Sequence, residues 1–451
     1  MLDFNDFVDE FDDVIDIWSE CSTNLEDAII HASDELIFEF IETLFLVTKY
    51  YFSTGNSQES PFSFTANSAL SGLDSPCASL ECRLLKIDQM LSFSSLYADE
   101  VFLRNPFEYL YNICKTSGVV PKVRVELQAN IVIYKTLRPY FKIGIIKYAN
   151  SIHPFCSNHL NKVINPYKDK LHKNENILYS ELEKYFLKKV SVNYNEYSRN
   201  EGYLTFKGPS NLIEHNKLHF HLYNNEGKDI DYMRMKGLPY KMKKSKIQEE
   251  NILHLLLKPI IDDITFHNWH SKFYNTNLLT NNDLQFNILN KINVNALNTN
   301  ILTNQFKYNL TVTKNTTPES IIKLRQANEE YFHIYRERTK QFFKTVKGLN
   351  SKEQEEAFSD LVRSEIINID RNLRSHKEKY LSKTRQNIIF GSGIIAIGSY
   401  LGVIPTDIST LIATIGGTAA LSSSATELNQ LLQPDNIAKD NDFYFLWKLQ
   451  R

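Results

Sequence analysis

Three short stretches carry side chains able to hold a metal or move a proton. In "IHPFCSNH", His153, Cys156 and His159 follow an H-x2-C-x2-H spacing that offers three zinc ligands. A fourth, such as Cys114 or Cys82, has to come from elsewhere, because the usual paired-ligand spacing is absent. The competing reading is a loop with ordinary histidines and one buried thiol. In "DDITFHNWH", Asp263, His267 and His270 stand at i, i+4 and i+7, one face of a helix. A carboxylate with two imidazoles there binds a divalent metal that activates water, or else makes polar contacts at a packed interface beside Phe266 and Trp269. His219 and His221, with His215 nearby, alternate along a strand and share a face, which is either a metal site or simply solvated.

A fourth stretch, "RMKGLPYKMKKSK", gathers Arg234, Lys241, Lys243, Lys244 and Lys246 around Tyr240. Such a run grips phosphates of lipid or nucleic acid, or remains a solvated loop. No nucleic-acid fold signature accompanies it, so nucleic acid ranks behind protein or lipid as a partner. The chain has no G-x-S-x-G elbow and no Gly-rich phosphate loop after a strand. No cofactor is therefore expected. A divalent metal at the His/Asp groups is the single candidate.

The elements that would position these groups read as mainly α, with a small α/β unit and a β-hairpin. Phe4, Phe7, Val8, Phe11, Val14, Ile15 and Trp18 recur at helical spacing, with acids on the opposite face. A second helix runs from about Leu25 to Phe52. Glu39 and Glu42 argue against its spanning a membrane. Residues 53–76, rich in Ser, Gly, Asn and Pro, read as a long loop. A helix over Leu80–Ala98, a strand at Val101–Leu103, a helix at Phe107–Lys115, a break at Pro139 and a strand at Ile143–Tyr148 make residues 77–170 the α/β unit.

In the middle part, residues 171–316, Leu218, Phe220 and Leu222 alternate with polar neighbours before a turn at Asn224–Gly227. Helix returns over Gln248–Phe273, interrupted at Pro259. Residues 275–316 hold 13 Asn, yet recurring Leu284, Ile288, Ile292, Leu297, Ile301 and Phe306 predict helical segments of weak propensity. Residues 317–385 predict a long antiparallel helical pair, opened by Thr317-Pro318 and by a capping box at Ser351–Gln354.

Residues 387–426 then form a hydrophobic, Gly-rich stretch read as a helical hairpin, followed by an aromatic tail over 427–451. Its turn is marked by Pro405. Gly391, Gly393, Gly398, Gly402, Gly416 and Gly417 stud its arms. Gly398-x3-Gly402 is the small-residue spacing that lets membrane helices approach closely. Arg371, Arg374, Lys377, Lys379, Lys383 and Arg385 make a basic flank suited to anionic lipid. Each arm is short of the ~20 residues a span needs. The alternatives are a hairpin that inserts conditionally and one buried in protein.

Charge divides the chain. Residues 1–100 hold 20 acidic and 3 basic side chains, net −17, and the remainder is net +15. The acidic part is expected to dock on the basic remainder, on a second copy or on a protein partner. Five cysteines at irregular spacing fit a reducing cytoplasm rather than a disulfide framework. An acidic opening segment is no secretory signal.

Three stretches, "ADEVFLRNP", "LRPYFKIGIIKY" and the Gly-rich stretch closed by "DFYFLWKL", resemble bacterial proteins encoded near anti-phage defence genes. That resemblance implies a cytoplasmic sensor coupled to a damaging output at the inner membrane. The expected function is a non-enzymatic effector or interaction protein whose hairpin inserts on activation. The alternatives are a metal-dependent hydrolase or nuclease working through Asp263 and His267, and a subunit of a larger complex.

Overall fold

The computed structural model describes residues 4–20, 24–52, 62–150, 168–198, 201–210, 212–223, 240–274, 276–282, 284–285, 288, 305–306, 311–313, 318–345, 357, 360–361, 364, 388–390 and 395–397. The described chain is mostly helical, with small parallel and antiparallel sheets.

The first helix, α1 (Phe4–Glu20), buries Phe7, Val8, Phe11 and Ile15. The predicted 25–52 helix is two helices. α2 (Leu25–His31) is capped by the Asn24 side chain, and α3 (Asp34–Phe52) buries Ile37, Phe40, Ile41, Leu44 and Phe45. The chain breaks at Ala32-Ser33, where Ser33 Oγ accepts from Leu36 N at 3.3 Å in place of a helical carbonyl.

Two strands stand where the sequence predicts a loop and a helix. The stretch read as a loop holds strand β1 (Ser63–Ala66), every residue of which is buried. The Asn-rich stretch read as helical holds β8 (Asn277–Thr280), defined below. Strands covered on both faces need not alternate polar with apolar, so neither shows the period-2 signal. After β1 come α4 (Leu80–Tyr97), β2 (Glu100–Arg104), α5 (Pro106–Ser117), α6 (Pro121–Lys142) and β3 (Ile146–Ala149), close to the expected α/β unit. Pro139 does not end α6. It sits one turn from the helix C-terminus, where few later turns remain to be disturbed.

A second apolar cluster is built from α7 (Lys168–Lys189), the sheet strands β4 (Ser191–Ser198), β5 (Glu201–Lys207), β6 (Lys217–Tyr223) and β7 (Tyr240–Lys241), and helices α8 (Lys244–Glu249) and α9 (His254–Tyr274). The sheet is antiparallel in the order β6-β5-β4-β7. Leu218 and Phe220 are on β6 as expected, but β6 pairs with β5, and the expected turn at 224–227 lies outside the described residues. α9 runs on through Pro259, contrary to the expected interruption.

The main sheet has the order β3-β2-β1-β8-β12-β9. β8 (Asn277–Thr280) runs parallel to β1, in the register Thr65↔Leu278. β9 (Gln305–Phe306), β10 (Thr311–Thr313), β11 (Ile388–Phe390) and β12 (Ile395–Ile397) are short. β12 adds antiparallel to β8 and β9, and β11 pairs with β10. The described start of the apolar C-terminal stretch is therefore strand, not the expected helical arm: Ile and Phe suit a pleated strand as well as a helix. The rest of that stretch lies outside the described residues. No described helix is long and apolar enough to cross a membrane.

Helices α10 (Pro318–Ala327) and α11 (Glu329–Thr345) follow. The first member of the expected long pair is thus split near Asn328; of the second, residues 357, 360–361 and 364 are described, and all of them are helical. Arg336 on α11 makes a two-pronged bond to Asp99, at 2.5 and 2.7 Å, and lies over the Phe62 ring, tying this helix beside β1.

Candidate functional site

Each of the four parallel strands is followed at once by an asparagine: Asn67 after β1, Asn105 after β2, Asn150 after β3 and Asn281 after β8. They sit on the carboxyl edge of the sheet. On the β2–β3 side, Asn105 Nδ2 donates to Asn150 Oδ1 and to Thr48 Oγ1, each at 2.7 Å, and Asn105 Oδ1 caps α5 by accepting from Phe107 N. That pair is buried and closed. The β1–β8 side is different. Chain order runs outward from β1 to β2 and β3, then returns to place β8 on the other flank of β1. Between β1 and β8 the sheet therefore has a topological switch point, where the connections leaving the two strands part and leave a crevice.

A cavity of about 310 Å³ opens there, lined by Asn67, Ser68, Asp263, Asn281, Asn282 and Gln285 on one side. Its other wall is apolar, from Leu212, Ile213, Leu218, Phe220, Leu256 and Ile260, with Lys86 and Asp74 also lining it. The apolar wall belongs to the second apolar cluster, whereas the polar wall is built mainly from the segments that follow β1 and β8; α9 joins the two because it packs on β1, β8 and α7.

Asn67 bridges the switch. Its Nδ2 lies 2.9 Å from Thr280 Oγ1 and 3.1 Å from Asn281 Oδ1, and its Oδ1 accepts from Leu70 N at 2.9 Å. Asp263 is the only carboxylate buried in this wall among the described lining residues. Ser68 donates to its Oδ1 through both N, at 3.0 Å, and Oγ; Gln285 Nε2 donates to Oδ2 at 2.8 Å. Arg104, at the end of β2, stands 3.7 Å from Oδ1, donates to Ser68 Oγ at 3.1 Å and stacks on Phe266. Burial pushes the Asp263 carboxyl above the ordinary range, against the pull of Arg104, Ser68 and Gln285. A carboxyl so desolvated, with a charged partner beside it and one acceptor position of Oδ2 left over by these hydrogen bonds, is common at functional sites.

The turn after β1 is shaped by Gly72, at φ +77°. An added Cβ would also meet Ile87 Cδ1 at 3.1 Å and Ile133 at 3.2 Å. Gly72→Ala is expected to cost about 1–2 kcal/mol for the left-handed backbone alone. Chemical denaturation checks this; an unchanged midpoint would show that the turn is not held in that conformation.

The sequence candidates are distributed as follows. Asp263 is in the crevice. His267 and His270 are on the same helix, but their side chains lie outside the described residues, as do His153, Cys156, His159 and Arg234. Lys241, Lys243 and Lys244 are exposed, whereas Lys246 pairs with Glu249 of α8 and with Glu250, which caps that helix. His219 Nδ1 is 3.0 Å from Thr205 Oγ1, and burial with Lys217 and Lys207 lowers its pKa. His215 and His221 are exposed. Among the described residues no group of three His, Cys, Asp or Glu side chains is placed to hold a metal. The glycines Gly391 to Gly417, Pro405 and the basic flank Arg371 to Arg385 fall outside the described residues.

Sequence reasoning missed Asn67, Ser68, Arg104, Asn281 and Gln285. Their signal is the recurrence of Asn directly after short strands, in "SFTAN", "VFLRN", "IKYAN" and "NLLTN". No family model matches the chain, and no curated protein or solved structure matches it.

Proposed function

We propose that the crevice between β1 and β8 binds a small molecule of nucleotide type, and that this α/β unit is the working part of the chain. The observation that carries this is the placement of Asn67, Ser68, Asp263 and Gln285 around one cavity at the topological switch point, where ligands of open α/β sheets are bound. The volume falls at the lower end of the range of small-molecule sites. One polar and one apolar wall suit a ligand with a sugar and a flat base. In this reading the Asp263 carboxylate accepts from ribose hydroxyls, the amides of Asn281 and Asn282 bond further polar groups, and the base lies against Phe220 and the aliphatic wall. Lys86 supplies positive charge for a phosphate. No metal is required for recognition of this kind.

NAD, AMP and ribose 5-phosphate are suitable probes. At a concentration of ~100 times its dissociation constant, a ligand stabilises the folded chain by about 2.7 kcal/mol. The expected result is a raised Tm with at least one probe, with slowed amide exchange in residues 67–73. If none of the three shifts Tm or protects that turn at millimolar concentration, the nucleotide reading is wrong.

A further inference from the structure

Arg83 does not line the crevice, yet its side chain is 1 % exposed and each of its three nitrogens donates a hydrogen bond. Its Nε donates to the Gly72 carbonyl at 2.7 Å, one terminal nitrogen to Glu126 Oε2 at 2.9 Å and the other to Asn130 Oδ1 at 2.6 Å. Glu126 and Asn130 both lie on α6, and Arg83 on α4. If the side chain served only to join those two helices, apolar residues of similar volume would do so without burying charge. Glu126 and Asn130 could be replaced together with it, but the Gly72 carbonyl is backbone and would be left without its donor.

That bond reaches the far end of the crevice turn. Inside the turn, Ser71 N donates to Asn67 O, Gly72 N to Ala69 O and Leu73 N to Ser68 O. The carbonyls of residues 67 to 69 are thereby used within the turn, and Gly72 O is held from outside by Arg83. Ser71 Oγ in turn accepts from Arg104 N at 3.0 Å, linking the same turn to the end of β2. We propose that Arg83 is a positioning residue for the crevice. Anchored on Glu126 and Asn130, it fixes the turn that presents Asn67 and Ser68, so ligand affinity depends on a side chain that never meets the ligand. This rests on the nucleotide reading for its effect on affinity, but the hold on the turn is measurable without any ligand.

Arg83→Lys separates the two roles. A single ammonium can keep the Glu126 pair but cannot fork to Gly72 as well. Arg83→Met paired with Glu126→Gln removes both without leaving a bare buried carboxylate. Tm, site-resolved amide exchange and NAD titration are measured on both variants and on the unaltered chain. The expected result for Arg83→Lys is a Tm close to that of the unaltered chain, with exchange at Ser71, Gly72 and Leu73 faster by about tenfold, the size expected from one lost charged hydrogen bond. NAD affinity falls by a similar factor. Exchange in α3, at Phe40 to Leu44, stays unchanged. Unaltered exchange of the turn in Arg83→Lys, or equal acceleration through α4 and α6, overturns the proposal, and it does so whether or not the double variant folds. Absence of NAD binding in the unaltered chain counts against the nucleotide reading alone, because turn exchange still decides the role of Arg83.

Discussion

Asp263→Asn loses nucleotide binding while its stability relative to the unaltered chain improves as pH rises. The carboxyl accepts from Ser68 and Gln285 and faces Arg104, all at the crevice wall. Replacing one oxygen by an amide turns an acceptor into a donor where a ligand hydroxyl is expected to donate. A charged hydrogen bond of this kind is worth about 1.5–3 kcal/mol, or roughly tenfold to a hundredfold in affinity. Stability moves the other way. Burial is the largest influence on this carboxyl and raises its pKa above 3.8, the value of a free aspartate, despite Arg104.

The folded state therefore keeps the proton at pH values where the unfolded chain has released it. The stability from this group is fully present below the unfolded pKa and is lost as pH rises through the higher folded value. Asparagine has no such dependence. The Tm difference, variant minus unaltered, should shift toward the variant from below pH 3.8 to neutrality. Arg104 loses its partner but is partly exposed and stacked on Phe266, which limits the penalty. Binding of NAD that is undiminished in Asp263→Asn would remove Asp263 from the site. A Tm difference that moves against the variant with rising pH would show that Arg104 outweighs burial.

Phe7→Ala is expected to destabilise the whole α/β unit by about 3–5 kcal/mol, the usual range for a large buried aromatic. The Phe7 ring is fully buried and lies within 6.4 Å, centroid to centroid, of Phe11, Tyr51, Phe52, Tyr134 and Phe141. Those residues belong to α1, α3 and α6, so one truncation loosens three helices. The acidic face of α1 adds ion pairs to α6, Asp12 with Arg138 at 2.5 Å and Asp9 with Lys142 at 3.2 Å, and Asp34 of α3 pairs with Arg124. These pairs are largely exposed and each is worth at most about 1 kcal/mol.

Helix α1 thus packs on α3 and α6 of its own chain, and apolar contact more than charge holds it there. A mask that swings away on a signal would have to take Phe7 and Phe11 out of the core. Equilibrium denaturation with two probes, far-ultraviolet circular dichroism and tyrosine fluorescence, decides the matter. Coincident transitions at lower denaturant fit a shared core. An early separate step confined to α1 would mean that the segment is a detachable module.

The helices were legible because their apolar residues recur along one stripe: Phe7, Phe11 and Ile15 in α1 are enough to set it. β2 and β3 were legible as short apolar runs closed by Asn. β1 was not. "SFTA" is small and half polar, and its Thr65 meets Thr276 by a 2.6 Å hydrogen bond rather than by apolar contact. β8 was lost in a field of asparagines whose apolar spacing also fits a helix. With both central strands unseen, the switch point between them was invisible, and so was the crevice. Asp263 was singled out for its spacing to His267 and His270. Two of its partners, Ser68 and Arg104, come from more than 150 residues earlier in the chain, and no local pattern connects them.

Strand β1 has consequences for how the protein is made. Asn67 and Thr280, bonded across the switch point, are 213 residues apart in sequence. At a typical elongation rate of ~5–20 residues per second, β1 leaves the ribosome roughly 10–40 s before β8 exists. During that interval one flank of the strand can pair with β2 and the other stays open, a long-range closure of the kind that slows folding. A chain stopped between residues 150 and 276 would carry α1 to α6 and the main-sheet strands β1, β2 and β3, yet no crevice. Synthesis itself is therefore a timer: the crevice comes into being only after residues 168–274, which supply most of the second apolar cluster, have been made.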